Sequence, residues 1–267
     1  MKALGVVVKF WLVDDLYAAP YGRGVLNNLN GTPQYLSWLA LVVRPHLGDT
    51  VLELGAGIGN LAGRLMSRRL LYVAADKDPL HLHALRNRFL RTPNVRVRRI
   101  DPEEFSDFDE RDGTFDTVLC LNVLEYLDEP RTAIESIRSL LNPGGTLVIL
   151  VPQHASLFGK LDRSMGYKRR FERKELAQLL TDAGFDVHRV FSLNKAGTPP
   201  WWIFSKVLGR LRINKLTLKL FDKTVWLWRR IDPILPWAGL SLVVVARRTG
   251  GERSSTREAE HLAELSR

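Results

Sequence analysis

The sequence predicts an α/β protein built on one mostly parallel sheet of seven strands, with helices on both faces of the sheet. Apolar segments of strand length alternate with segments of helical periodicity over most of the 267 residues. The first strand, over 51–54, runs directly into three alternating glycines, Gly55, Gly57 and Gly59. Glycine lets the backbone take positive φ and approach a ligand closely, and open α/β sheets bind nucleotide-like ligands at such turns.

The other predicted strands follow in order, and the first three of them end in polar residues, Asp76, Asp101 and Asn122. The turn over 143–145 leads into the fifth strand. The six predicted strands cover residues 70–75, 95–100, 115–121, 146–151, 185–191 and 240–246. Because the carboxyl ends of parallel strands share one edge of a sheet, the three polar residues are expected beside the glycine turn.

The predicted helices lie between these strands and before the first one. Asp78-Pro79 is typical of a helix start, with Asp78 as N-cap and Pro79 at the first helical position. Gly184 ends the last of the core helices as a C′ glycine. Helical spacing of apolar residues covers 34–43, 131–141 and 172–183.

The run Glu53-x-Gly55-x-Gly57-x-Gly59, with the acids that follow it, resembles motif I and the later motifs of class I S-adenosylmethionine (SAM) methyltransferases. That family has a Rossmann-like fold, and its last strand is reversed. A dinucleotide fingerprint, G-x-G-x-x-G, would need glycine at position 60, where Asn60 stands, which disfavours an NAD-dependent oxidoreductase.

The resemblance implies SAM as cofactor and S-adenosylhomocysteine (SAH) as product. It assigns the ribose hydroxyls to Asp76, which lies 23 residues after Glu53, and the adenine amino group to Asp101. The methionyl group would meet the backbone of the glycine turn and Asn122. The expected cofactor-binding residues are Glu53, Gly55, Ala56, Gly57, Asn60, Asp76, Lys77, Asp101, Pro102 and Asn122.

The segment after the fifth strand, from Pro152 to Phe171, resembles a bacterial subgroup of these enzymes with the pattern V-P-x-H…G…D…G-H-x-R-R-Y, often found beside glycosyltransferases. Tyr167 stands where the pattern has a second histidine. His154 is the candidate general base, and a hydrogen-bonded loop histidine is the alternative. Arg169 and Arg170 could bind an anionic acceptor group, or pair with Asp162 and Glu172. The expected acceptor-side residues are Tyr35, Glu125, Tyr126, Tyr167, Arg169 and Arg170, with a role at the start of a helix as the alternative for Glu125.

The net charge of +10 is concentrated near the C-terminus. Residues 195–237 carry nine basic residues against two acidic ones, and five of the seven tryptophans. Phe204, Val207, Leu208 and Leu211 have the spacing of one helix face, with Lys206 and Arg210 off that face. The segment is interpreted as a lid packed on its own domain, with an anionic membrane surface or a lipid-linked acceptor as the alternative. Nucleic acid is disfavoured because no RNA-binding module accompanies the charge.

The domain organisation expected is a helical cap (1–45), a SAM-binding core (46–194), a basic Trp-rich insertion (195–238), a final strand (239–249) and a flexible tail (250–267). The lone Cys120 lies in an apolar strand and indicates a buried thiol in a reducing compartment. Lys9 interrupts the apolar run at 1–13, and acids follow it, so a cytoplasmic leader is expected rather than a signal peptide. The expected localisation is cytoplasmic, with contact to the inner face of the membrane as an alternative.

The function expected from this resemblance is methyl transfer by in-line displacement to a small-molecule, glycan-like or lipid-linked acceptor. Orientation of the acceptor at attack distance supplies much of the rate in such a reaction. A base is needed only if the acceptor must lose a proton early, as a hydroxyl would. An RNA methyltransferase and a catalytically silent SAM-fold binding protein are the alternatives, and no metal is expected.

Overall fold

The structure, a computed structural model, describes residues 32–105, 114–208 and 215–250. The predicted leader at 1–13, the first 31 residues of the helical cap, and the tail beyond residue 250 lie outside the described residues. Arg210, Leu211 and Arg212 of the basic segment also lie outside them.

A seven-stranded sheet forms the centre of the molecule and confirms the predicted fold class. Its strands are β1 (Thr50–Leu54), β2 (Leu71–Asp76), β3 (Val95–Arg99), β4 (Phe115–Leu121), β5 (Leu141–Pro152), β6 (Phe185–Leu193) and β7 (Ser241–Arg248). Their order across the sheet is β3-β2-β1-β4-β5-β7-β6. The pairs from β3 to β5 are parallel, whereas β7 runs antiparallel to both β5 and β6. The reversed last strand is therefore confirmed.

Helices cover both faces of the sheet, as predicted. The α-helices are α1 (Pro33–Val43), α2 (Ala62–Leu65), α3 (Pro79–Phe89), α4 (Pro130–Leu140), α5 (Lys160–Ser164), α6 (Arg173–Asp182), α7 (Thr198–Trp202) and α8 (Lys215–Ile231). Apolar residues of α4 and α6 pack on one face, where Leu52 and Leu54 of β1 point. Residues of α1, α2, α3 and α8 pack on the other face, with Val51 of β1. The alternation along β1 separates the two cores.

The predicted helix boundaries hold where a capping residue sets them. The Asp78 carboxylate accepts a hydrogen bond from the backbone N–H of Leu80 at 2.8 Å, so α3 begins as expected. Gly184 has φ +82° directly after α6. The positive φ requires glycine at this position, whereas a Cβ there would meet only the end of the flexible Arg138 side chain, at 2.8 Å from its Nε.

Leu141 belongs to β5 and not to the preceding helix, which corrects the predicted helix over 131–141. It pairs with Phe115, whereas Thr117 pairs with Thr146, so the chain over 142–145 forms an irregular excursion within the strand. Gly144 in this excursion has φ +76°. Leu141 is fully buried in the core, and an apolar residue at the junction satisfies a helix or a strand pattern equally well.

The predicted apolar helix face with Phe204, Val207 and Leu208 is wrong. A π-helical turn spans Ile203–Val207. Val207 and the residue after the turn, Leu208, are 59% and 52% exposed, whereas Ser205 is buried. A π turn adds a residue to the repeat, so positions spaced for an α-helix no longer share one face. The long amphipathic helix of the segment is α8 instead. None of the described helices is long and apolar enough to cross a bilayer.

Candidate functional site

The glycine turn between β1 and α2 has the left-handed backbone that the sequence predicts. Gly55, Gly57 and Gly59 have φ of +68°, +57° and +79°. A Cβ on Gly55 would lie 2.5 Å from Cγ2 of Val123, and a Cβ on Gly59 would lie 2.7 Å from the ring of Phe89. Glycine at these two positions is therefore required by conformation and by close packing.

Asp76 holds the glycine turn and the start of α3 together. Its Oδ2 accepts a hydrogen bond from the backbone N–H of Gly57 at 2.8 Å. Its Oδ1 accepts from the N–H of Asp78 at 2.9 Å and lies 3.1 Å from Nδ1 of His81. The residue is only 7% exposed. The carboxylate that was expected to meet ribose hydroxyls thus also organises the backbone around it.

Glu53 lies beneath the turn, 4% exposed, and accepts a hydrogen bond from the Tyr72 hydroxyl at 2.7 Å. Burial raises the pKa of Glu53 to about 7, and the hydrogen bond from Tyr72 opposes that rise. Burial and the neighbouring Glu53 also raise the pKa of Tyr72 well above its usual value. The pair fixes the end of β1 against β2.

The other residues expected around the cofactor lie at the same edge of the sheet with different partners. The Ala56 N–H donates to the Ala75 carbonyl oxygen at 2.9 Å, which ties the turn to β2. The Asn60 side chain accepts from Arg88 of α3. Lys77 Nζ lies 3.5 Å from Oδ1 of Asp101, after which Pro102 is buried. Asn122 is exposed, with φ +55°, at the end of β4.

These residues converge where the strand order reverses, between β1 and β4. Open α/β sheets bind ligands outside the carboxyl ends of strands at such a point. The left-handed glycines let a ligand approach the backbone closely, and Asp76 and Asp101 follow the next two strands across the sheet. SAM is an adenosine joined to an amino acid, so its site needs groups for the amino acid, the ribose and the adenine in this order along the sheet edge. The residues present therefore fit SAM.

A buried ionic cluster lies beside this edge, on the predicted acceptor side. Arg170 Nε donates to Oδ1 of Asp162 at 2.7 Å, and both side chains are almost fully buried. Nη1 of Arg170 donates to the Gln153 carbonyl oxygen at 2.8 Å. The guanidinium also lies 4.9 Å from the ring centre of Trp201, in α7. Of the two alternatives for Arg170, the structure contains the ion pair with Asp162.

Glu125 is the buried acid of this cluster that lacks a hydrogen-bond partner on another residue. The residue is 0% exposed, and within the described structure neither carboxyl oxygen accepts from another side chain or from the backbone of another residue. Burial raises the pKa of Glu125 to about 8, although the backbone N–H of Glu125 itself and the charge of Arg170 oppose the rise. A buried carboxyl without a donor is costly, so its presence points to a group that arrives from outside.

Three tyrosines predicted for the acceptor side occupy two places. The rings of Tyr126 and Tyr167 meet edge to face at 5.2 Å, close to Glu125, and burial raises the pKa of both hydroxyls. Tyr35 of α1 lies instead beside Ser241, at the start of β7, and burial raises its pKa to about 12. The tyrosine pair lines the Glu125 side of the site, whereas Tyr35 supports the packing of α1.

His154 and Arg169 lie nearer the surface than the ionic cluster. Nδ1 of His154 is 3.7 Å from Oε2 of Glu172, and its side chain is 26% exposed. Nη2 of Arg169 donates to the Asp128 carbonyl oxygen at 2.8 Å. The structure thus places Arg170, but not Arg169, in the buried cluster with Glu125.

Residues that the sequence analysis did not single out complete both halves of the site. Tyr72, His81 and Trp201 supply the partners of Glu53, Asp76 and Arg170. His81 carried a readable signal, because it lies in the first turn of the helix that follows the ribose acid. Trp201 carried none, since it reaches Arg170 from another part of the chain.

Comparison with known proteins finds a methyltransferase domain in part of the chain. A family model described as a methyltransferase domain matches residues 52–147. A ubiquinone biosynthesis O-methyltransferase from Alkalilimnicola ehrlichii is 31% identical over 144 residues, which are 53% of this chain and 57% of that protein. A second enzyme of that name, from Acinetobacter baylyi, is 30% identical over 116 residues, 42% and 48% of the two chains. The chain thus spans about half the length of the curated relatives it matches.

Solved structures share the fold over most of the chain. A putative methyltransferase from Haloferax volcanii, in complex with a methyltransferase activator, has a TM-score of 0.59 at 19% identity and covers 85% of this chain and 94% of its own. Magnesium protoporphyrin IX methyltransferase from Synechocystis, with bound SAH, has a TM-score of 0.53 at 15% identity. The match covers 93% of this chain and 95% of that one. A [4+2]-cyclase has a TM-score of 0.57 at 16% identity, and the match covers 90% of this chain and 100% of that one. At these identities the likeness establishes the fold alone.

Proposed function

Since the chain carries a class I SAM-dependent methyltransferase domain, we propose that it transfers a methyl group from SAM to a hydroxyl group of a small-molecule acceptor. The observation that carries this proposal is the glycine turn bonded to Asp76, because it combines a left-handed backbone that a ligand can approach with a buried carboxylate at the switch point of the sheet. Oxygen is proposed as the acceptor atom because the curated relatives are O-methyltransferases.

Bound SAM supplies an electrophilic methyl group on a sulfonium whose thioether leaves without needing a proton. The chain's own contribution is to hold the acceptor in line and to take up its hydroxyl proton. Asp76 and Asp101 would hold the ribose and the adenine, and the turn over Glu53–Gly59 would hold the methionyl group with Asn122. Lys77 would keep Asp101 in place through their ion pair.

We propose Glu125 as the group that accepts the hydroxyl proton. It lies four residues after the end of β4 and three after Asn122, and its two oxygens have no donor from another described residue. A pKa of about 8 places it close to neutral pH, where a general base works best. His154, the base predicted from the sequence, remains the alternative and lies against Glu172 at the surface.

The acceptor is proposed to be an uncharged or lipid-linked molecule with an aromatic or glycan-like ring. Arg170 is already paired with Asp162 and Gln153, which leaves little of its charge for an anionic group. Tyr126, Tyr167 and Trp201 offer ring surfaces beside Glu125. The competing proposals are an RNA methyltransferase and a SAM-fold binding protein without transferase activity.

Transfer of labelled methyl from SAM to a panel of phenolic, glycan and RNA acceptors tests this function. Glu125→Gln should reduce turnover about 10²–10⁴-fold without changing SAH affinity, because only the proton acceptor is lost. His154→Gln is the matched variant and should change turnover little. If the histidine variant loses turnover and the glutamate variant keeps it, the base is His154; labelling of RNA alone would contradict the small-molecule acceptor.

A further inference from the structure

Helix α8 packs on its own domain through one face only. Val225 is buried in the core with α1, and the Phe221 ring lies 6.2 Å from the Tyr35 ring. The buried Asp222 carboxylate accepts from the backbone N–H groups of Gln34 and Tyr35, at 3.3 and 2.9 Å. A carboxylate at the first turn of α1 satisfies donors that the helix itself cannot. These contacts fix which side of α8 faces outward.

The outward side of α8 carries two parallel strips of residues. Successive residues of an α-helix turn by about 100°, so Leu216, Leu220 and Leu227 fall within one arc of about 40°. They are 54%, 59% and 38% exposed. Lys219, Lys223 and Arg230, all exposed, occupy the adjacent arc. The apolar strip and the basic strip therefore lie side by side on the surface.

Trp226 borders the basic strip on its other side. It is 56% exposed, and the Arg230 guanidinium lies 5.6 Å from its ring centre. A tryptophan beside a cation is the arrangement that suits the boundary between lipid headgroups and acyl chains. We call the set Leu216, Lys219, Leu220, Lys223, Trp226, Leu227 and Arg230 the outer face of α8.

Exposed large apolar side chains are concentrated in this part of the described structure. Beyond the outer face of α8, the segment also exposes Trp202, Ile203, Val207, Leu208, Ile234 and Trp237. The exposed leucines of the rest of the described chain, Leu41, Leu70, Leu80 and Leu90, lie far apart in sequence. Scattered apolar residues are normal on a surface, whereas a concentration of them marks an interaction site.

We propose that the outer face of α8 binds an anionic membrane surface. The leucine strip would enter the headgroup boundary, while the adjacent cations would meet lipid phosphates at the level of Trp226. The charge pattern selects this partner, because cations flanking a narrow apolar strip complement a lipid surface. The proposal goes beyond methyl transfer and would place the site near acceptors that dissolve in lipid.

Vesicle sedimentation of the full chain tests the proposal. Vesicles of phosphatidylcholine with phosphatidylglycerol should bind the protein, and vesicles of phosphatidylcholine alone should bind it much less. High salt should weaken the binding, because screening reduces the contribution of the cations. SAH affinity, measured in parallel, should be the same with and without vesicles, so the two proposals can fail separately.

Two variants with matched controls locate the surface. Lys219→Glu/Lys223→Glu should reduce binding to the anionic vesicles at least about 25-fold, because each cation near such a surface contributes about fivefold. Arg173→Glu/Lys174→Glu changes the net charge equally, at exposed positions of α6, and should have a much smaller effect.

The apolar strip is tested by a second variant. Leu216→Gln/Leu220→Gln/Leu227→Gln should reduce binding at least about tenfold. Its control is Leu70→Gln/Leu80→Gln/Leu90→Gln, with thermal melting as the check on folding.

The proposal is overturned if the wild-type chain does not bind anionic vesicles at low salt, or if each control loses as much binding as its partner. It is also overturned if the leucine variant turns a dimer into a monomer while the wild type ignores vesicles, because the outer face would then join two copies of the chain.

Discussion

The carboxylate of Asp76 bonds directly to the backbone N–H of Gly57, at 2.8 Å, across the turn that ends β1. The expectation that this acid serves a ligand alone is therefore incomplete. Oδ2 retains an acceptor site for a ribose hydroxyl, while Oδ1 is occupied by Asp78 and His81. The same group shapes the glycine turn and, in the proposed function, would also accept from a ribose hydroxyl.

Asp76→Ala should accordingly lower both ligand affinity and stability. Loss of hydrogen bonds to a charged acceptor should reduce SAH affinity by about 1.5–3 kcal/mol, as measured by calorimetry. The melting temperature should also fall, because the N–H of Gly57 loses its acceptor inside the protein. Asp186→Ala, at an exposed position of β6, is the control and should change neither quantity. Unchanged SAH affinity in folded Asp76→Ala would show that the ribose lies elsewhere.

Substitutions at two glycines with similar backbone angles distinguish the cost of backbone strain from the cost of a steric clash. Gly55 and Gly144 have φ of +68° and +76°, but a Cβ meets Val123 at 2.5 Å only at Gly55, whereas nothing lies within 4 Å at Gly144. Gly144→Ala should cost about 1–2 kcal/mol of unfolding free energy through strain alone. Gly55→Ala should cost more and should abolish SAH binding. Equal losses from denaturant titrations would contradict the packing argument.

Glu125 should make stability fall as the pH rises. Its pKa is about 8 in the folded protein and near 4.5 when unfolded, so folding favours the neutral carboxyl. That contribution is complete below pH 4.5 and is lost as the pH rises to about 8, by at most about 1.4 kcal/mol per pH unit. The pKa of Glu53 is about 7, so its own contribution to stability is already lost by about that pH. Glu125→Gln should therefore flatten the stability curve between pH 7 and 8, and an unaltered slope in urea titrations would contradict the assignment.

Arg170 and Asp162 should behave as a buried pair. Arg170→Met leaves the Asp162 carboxylate without its cation and should cost about 3–5 kcal/mol of unfolding free energy. Adding Asp162→Asn removes the buried charge and should recover part of the loss, while keeping an acceptor for the N–H of Gly159. Additive losses in the double variant would show that the two side chains do not interact.

Strand positions and the glycine turn could be predicted because each depends on local residues. The apolar runs, the Asp78 cap and Gly184 determine backbone conformation within a few positions, and the structure confirms them. The π turn over Ile203–Val207 escaped prediction because helical spacing assumes a regular α-helix. The partners of Glu53 and Arg170 could not be derived, since Tyr72 and Trp201 reach them through packing between separate elements, whereas His81 lies in the helix that directly follows Asp76.

Calorimetry of SAH binding, with NAD as the comparison ligand, decides whether the glycine turn serves SAM. We expect saturable binding of SAH, at about −5 to −8 kcal/mol, and a higher melting temperature with SAH but not with NAD. Heat and stabilisation from NAD alone, or from neither ligand, would contradict the assignment of the glycine turn and Asp76 to SAM.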